Sequence, residues 1–172
     1  MEILILGFIL VALMVYVSTK IKKSAAKAFE AERIDTETFS INKPEGFLNP
    51  VGDRSDLAFE AYSKDFGIDD AANIRHASAT LRVHTGTGFT EVVDRAKSGL
   101  SELSRDALIE NGRSTMAKFC GEIEAAGVPM VNWYKIISKD QDVYELKVAV
   151  LKEFAAEYEP RTTSMIESFA VK

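Results

Sequence analysis

A chain of 172 residues with 21 Lys+Arg against 26 Asp+Glu carries a net charge of −5. From residue 34 onward 16 cations face 23 anions, about −7, which disfavours a nucleic-acid partner because phosphate contacts need clustered cations. The single cysteine, Cys120, excludes an internal disulfide.

The first predicted element is the uncharged run from Ile3 to Thr19, closed by Lys20, Lys22 and Lys23. At about 1.5 Å per residue it spans roughly 25 Å, near the ~30 Å hydrocarbon core of a bilayer. Residues 1–19 are therefore expected to form one transmembrane signal anchor. A cleaved secretory signal competes with this reading, but it needs a cationic n-region and a small-x-small site after the core. Here Glu2 precedes the run and Tyr16, Val17, Ser18 and Thr19 end it. A buried core helix fits less well, because the run is apolar on every face. Lysines follow the run and none precede it, so the remaining chain is expected on the cytoplasmic side of the plasma (inner) membrane, as a single-pass protein. The lone cysteine agrees with that compartment.

Residues 20–33 contain no Gly or Pro and favour helix, which predicts a basic juxtamembrane helix. Lys20, Lys22, Lys23 and Lys27 are candidate contacts for anionic lipid headgroups, each worth about 1 kcal/mol at the surface. A topology signal alone accounts for them equally well.

Residues 34–172 suffice for a single α+β domain with one core. Ile34 to Ile41 reads as a strand ended by the turn Pro44-Glu45-Gly46, and Leu57 to Lys64 as a second, with Leu57, Phe59 and Ala61 on one face. In a third strand, Ile74 to His84, the odd positions Ala77, Ala79, Leu81 and Val83 are apolar. His76, Arg82 and His84 project from the other side as a candidate ligand or partner face. About 26 Å of strand separates the two histidines, so they cannot share an ion and no metal site is read here.

After Gly86-x-Gly88, the stripe Phe89, Val92, Val93, Ala96, Leu100, Leu103 and Ala107 predicts a helix from Gly88 to Asn111, with Gly99 as a weak point. The glycine pair lacks the further glycine or Gly-Lys-Ser/Thr of a phosphate cradle, so it reads as helix entry and implies no cofactor. Residues 114–126 fit a helix stopped by Gly127 and Pro129, and also a strand alternating through Phe119, Gly121, Ile123 and Ala125. The apparent caps favour the helix. Val131 to Ser138 and Val143 to Leu151 then flank a short polar loop as a hairpin, with Tyr144, Leu146, Val148 and Val150 facing one way. A closing helix over residues 160–169 is expected to dock Met165, Ile166 and Phe169 on the sheet.

The opening Phe39-Ser40-Ile41-Asn42-Lys43-Pro44-Glu45-Gly46-Phe47, the middle helix, the Val143-Tyr144-Glu145-Leu146 strand and the terminal Met165-Ile166-Glu167-Ser168-Phe169 together resemble the PsbP-like superfamily. The resemblance covers residues 36–172. It implies an antiparallel sheet flanked by helices, a PsbP-like sandwich, and non-catalytic accessory or assembly roles beside membrane complexes. Members are commonly exported, in contrast to the orientation read from the lysines.

No nucleophile stands with a positioned base in the way Ser-His-acid chemistry requires. The expected protein is thus a membrane-tethered, non-catalytic binding or accessory protein, with membrane lipid and a protein partner: a subunit or assembly factor of a membrane complex, or a cytoplasmic-face adaptor. The alternative is a membrane-anchored small-molecule-binding or hydrolytic domain, which a deep apolar pocket with convergent polar groups on the His76/Arg82/His84 face would favour and a filled, flat sheet face would sink.

Overall fold

In the computed structural model, which describes residues 11–20, 26–50, 56–111 and 114–172, the alternating segments gather into two antiparallel sheets. The smaller contains β1 (Glu32–Asp35), β2 (Phe39–Lys43) and β10 (Ala170–Val171), in the order β1-β2-β10. The larger contains β3 (Phe47–Leu48), β4 (Phe59–Ser63), β5 (Ala77–Thr85), β6 (Glu102–Asn111), β7 (Ser114–Ala125), β8 (Val128–Lys139) and β9 (Asp142–Leu151). Its order is β3-β4-β5-β9-β8-β7-β6. Helix α1 (Phe89–Ser98) packs on β8 and β9 from one side, and α2 (Ala155–Ser168) packs on β2, β8 and β9 from the other.

Strand β9 shows why this arrangement forms. Tyr144, Leu146, Val148 and Val150 enter the principal core with Ala77, Ala79 and Leu81 of β5, and Met165, Ile166 and Phe169 close it from the C-terminal segment. Period-two alternation sends Glu145 and Lys147 to the opposite face. The predicted hairpin is present, with Lys139 opposite Asp142, and Phe169 is 1% exposed. The closing helix differs in its limits. It begins five residues earlier, at Ala155, contains Pro160, and ends before Phe169, whose backbone is extended.

Several expectations are corrected. The predicted helix from Gly88 to Asn111 ends at Ser98. Leu100 N–H bonds Lys97 O, Ser101 N–H bonds Glu122 O, and the chain leaves for the sheet edge as β6. A register shift between Ser104 and Ala107 inserts one extra residue opposite β7. That bulge sets Leu103 and Ala107, four apart in sequence, opposite Gly121 and Lys118 and hence on opposite faces of the sheet, so the helical spacing read from them forms no stripe. Residues 114–126 form a strand, not the favoured helix. The supposed helix stop is a two-residue hairpin turn, with Ala126 at φ 52° and Gly127 at φ 81°, the left-handed pair that matches strand twist. Gly121 permits the edge to close, because a Cβ there would lie 2.3 Å from Glu102 O.

The strand read from Ile34 to Ile41 is two strands, paired Ile34 to Ile41 around a turn in which Thr36 Oγ1 and Phe39 exchange hydrogen bonds. The predicted juxtamembrane helix over residues 20–33 does not reach its end, since Glu32 already belongs to β1. Residues 11–20 and 26–28 are helical. Residues 1–10, the first half of the predicted anchor, lie outside the described residues. Among those described, no helix is long and apolar enough to cross a membrane.

Two buried lysines tie distant segments. Lys43, 1% exposed, donates from Nζ to Ala28 O and Glu30 O at 2.8 Å and to Phe47 O at 2.9 Å. Gly46 N–H also bonds Phe29 O at 2.8 Å, so the segment entering from the N-terminal side is fixed to the domain. Lys135, 5% exposed, donates to Ile166 O at 3.0 Å and Phe169 O at 2.5 Å, satisfying carbonyls that the end of α2 leaves open.

Candidate functional site

Helix α1 is ten residues long, about 15 Å at the usual rise, and covers only part of its side of the sheet. Val92 and Val93 seat it on Phe119, Tyr134, Ile136 and Val143. Glu91 in its first turn and Arg95 in its last complement the helix dipole and pair at 2.7 Å. Beyond its edge, the polar faces of β5 and β9 stay uncovered. The result is a cleft of about 480 Å³, within the range of small-molecule sites.

Register organises the floor into three cross-strand rows. Ser78 and Ala149 form one end; Thr80, Lys147 and Tyr134 form the middle; Arg82 and Glu145 form the other end, beside His84. Arg95, Ala96 and Gly99 contribute from α1 and its exit, and Ile123 from β7. The cleft therefore runs from small uncharged groups to charged ones. His84 Nε2 lies 2.7 Å from Glu145 Oε2, both side chains under one-fifth exposed. Burial lowers the Lys147 pKa below the ordinary lysine value; the Glu145 carboxylate opposes this and Arg82 adds to it. Burial also raises the Tyr134 phenol, and Glu145 reinforces that shift. Asn132 is 1% exposed, and its side-chain amide hydrogen-bonds the Tyr134 phenol, which opposes that rise.

Of the predicted face, the structure brings Arg82 and His84 together and separates His76. Strand β5 begins at Ala77, so the alternation read from Ile74 does not extend to His76. Its ring stacks on Phe154 at 3.6 Å between centroids, with Tyr158 edge-on at 6.1 Å, in an aromatic cluster beside the principal core. Lys20 and Lys27 are exposed, whereas Lys22 and Lys23 lie outside the described residues. The sequence reading missed Lys147, Tyr134 and Arg95 as site residues. Glu145 and Lys147 were visible as the polar half of an alternating strand, but only the β5–β9 pairing places them beside Arg82. No group of three or more metal-ligating side chains occurs among the described residues.

No protein-family model and no curated protein sequence matches the chain. Solved structures match by shape. LpqN, involved in cell envelope biogenesis of Mycobacterium tuberculosis, aligns over 83% of this chain and 91% of its own at 10% identity, with a TM-score of 0.55. Cyanobacterial PsbP (CyanoP) from Synechocystis sp. PCC 6803 aligns over 84% and 94% at 9% identity, with a TM-score of 0.51. The fold is PsbP-like. A longer protein from Bacteroides thetaiotaomicron VPI-5482 aligns at 14% identity and a TM-score of 0.49; 78% of this chain matches 45% of that one. In the PsbP-like frame of this chain, the sheet with α2 and the small sheet builds the core, and the α1 side holds the cleft.

Proposed function

We propose that this protein is a membrane-tethered, non-catalytic binding protein, anchored by residues 1–19, with its PsbP-like domain on the cytoplasmic face as an accessory subunit, assembly factor or adaptor of a membrane complex. The observation that carries this reading is the helix over residues 11–20, on which Val11, Leu13, Met14, Val15, Tyr16 and Val17 are 45–65% exposed. Side chains of that character need a cover other than water. The apolar sequence from Ile3 to Leu10 precedes them and lengthens the run toward a bilayer span. Thr19 Oγ1 donates to Val15 O at 2.8 Å, a bond within the helix that spares the hydroxyl an apolar surrounding. Fixation of Ala28, Phe29 and Glu30 to the domain by Lys43 and Gly46 would hold the domain at a set height over the surface.

A fractionation experiment tests the tether. The full chain is expected in the membrane fraction after alkaline washing, and deletion of residues 1–19 is expected to release it; a washed-off full chain overturns the reading. Orientation is tested by fusing a reporter active only outside the cytoplasm after Lys172. It is expected to stay silent, and moving the lysines at 20, 22 and 23 to the N-terminal flank is expected to weaken or reverse this. A partner is tested by mild-detergent extraction, where migration as a lone monomer counts against the subunit role.

A second reading, a small-molecule-binding domain held at the membrane, is favoured by the cleft beside α1 and the cations on its floor.

A further inference from the structure

We propose that the cleft beside α1 binds a small organic anion, its charged group held between Arg82 and Lys147 and its apolar body lying toward Ala149 and Ile123. This rests on the small-molecule reading and assigns it a site and a ligand class. The chain as a whole is acidic, at −5, so its overall field repels anions. A cationic floor on such a molecule is a local departure. The other charges of the cleft are engaged, with Glu145 held by His84 at 2.7 Å and Arg95 by Glu91 at 2.7 Å. Arg82 and Lys147 form no ion pair among the described residues. They sit on adjacent strands one row apart, where Thr80 faces Lys147 and Glu145 faces Arg82.

Placing two like charges side by side on a half-covered sheet floor costs free energy, and an incoming anion relieves both at once. The lowered pKa of Lys147 reports that same cost, from burial first and with Arg82 contributing. The uncharged end defines the remainder of the ligand. Ala149, Gly99 and Ala96 are small and leave room, and Ile123 supplies apolar contact. A free inorganic anion would leave this half of the cleft unfilled; a neutral apolar molecule would leave the cations unpaired. An anion with a compact apolar body satisfies both ends.

Full-length protein in lipid nanodiscs is titrated with benzoate, phenyl phosphate and benzyl alcohol, and binding is followed by calorimetry with empty nanodiscs subtracted. One or both anions are expected to bind, with benzyl alcohol weaker by about tenfold or more. R82Q and K147M are each expected to weaken the anion by about tenfold or more, while K118M, on the opposite side of the sheet, leaves it unchanged. Tighter benzoate assigns a carboxylate ligand and tighter phenyl phosphate a phosphate monoester. Arg82 is exposed, and methionine at 147 removes a poorly solvated charge, so neither variant threatens folding; a far-ultraviolet spectrum confirms it. Anion binding indifferent to both substitutions overturns the assigned site but leaves the small-molecule reading standing. Binding of neither anion up to about 10 mM overturns both, and leaves the membrane tether to its own fractionation test.

Discussion

The two sides of the seven-stranded sheet are made from the same strands and do opposite work. On the α2 side, Leu146, Val148 and Val150 of β9 are fully buried under Met165 and Phe169, and the buried cation Lys135 has its donors spent on carbonyls. On the α1 side, Glu145 and Lys147 of the same strand are only half-buried, and a ten-residue helix leaves a cleft above them. The closed side supplies the stability that lets the open side carry charges in poor surroundings. Substitutions on the closed side should therefore weaken folding, and those on the open side should alter binding with little or no loss of stability.

The largest effect is expected from Phe169→Ala. Phe169 is 1% exposed and packs its ring 6.4 Å from that of Phe39, joining the end of α2 to the small sheet. Its truncation should cost about 3–5 kcal/mol in chemical denaturation of a fragment spanning Ala26 to Lys172. The fragment starts at Ala26 because Lys43 needs the carbonyls of Ala28 and Glu30. A cost under about 1 kcal/mol would mean that the C-terminal segment does not close this side.

Lys135 provides a pH-dependent test of the same closure. Burial, then the neighbouring Lys118, lowers its pKa from 10.5 to about 8, against the opposing pull of Glu167. The unfolded lysine keeps its proton to near 10.5, so between about pH 8 and that value the unfolded state binds more protons and native stability rises with pH. The stability of the unmodified protein relative to Lys135→Met should grow by about 1–3 kcal/mol between about pH 8 and pH 10, measured by denaturant midpoints. A flat difference would mean that Lys135 is solvated, and that the contrast between the two sides is weaker than drawn.

How far these sides were legible in the sequence follows from which signals are local. The core face of β9 and the hairpin before it are plain from alternation, and so is the docking of Met165, Ile166 and Phe169. The helix expected over residues 88–111 and the one favoured over 114–126 failed for related reasons. A bulge between Ser104 and Ala107 shifted one register, and a left-handed Ala126-Gly127 turn imitated a helix stop. Half of the site was readable as the polar face of β5. The other half was not, because β5 pairs with a strand some sixty residues later, and nothing local in either segment names its neighbour. His76 failed by one residue of strand boundary.

On the open side the sign should reverse. Lys147→Met exchanges a half-buried ammonium, without an ion pair among the described residues, for an apolar chain of similar length. It should stabilise the fragment by about 0.5–1.5 kcal/mol while removing a cation from the cleft. A loss on the scale of Phe169→Ala would show that Lys147 supports the fold, and the division of labour between the two sides would fail.

The smallest effect tests the rim of the closed side. The Glu167 side chain is 61% exposed, yet both its carboxylate oxygens accept from Lys118 Nζ at 2.8 Å. An exposed pair gains little, because water already solvates both charges and two long side chains must be held still. Glu167→Ala should therefore cost about 0.5–1 kcal/mol at neutral pH and less in high salt. Its hydrogen bond with Lys118 is the main cause that lowers the Glu167 pKa below 4.5. The contribution is then present above that ordinary value and lost as pH falls through the lowered folded one. The carboxylate also lies within the field of Lys135, so its removal takes away an anion that favours that buried charge. A cost above about 2 kcal/mol, insensitive to salt, would mean that Glu167 acts through Lys135, and the closed side would then depend on a charged pair as well as on packing.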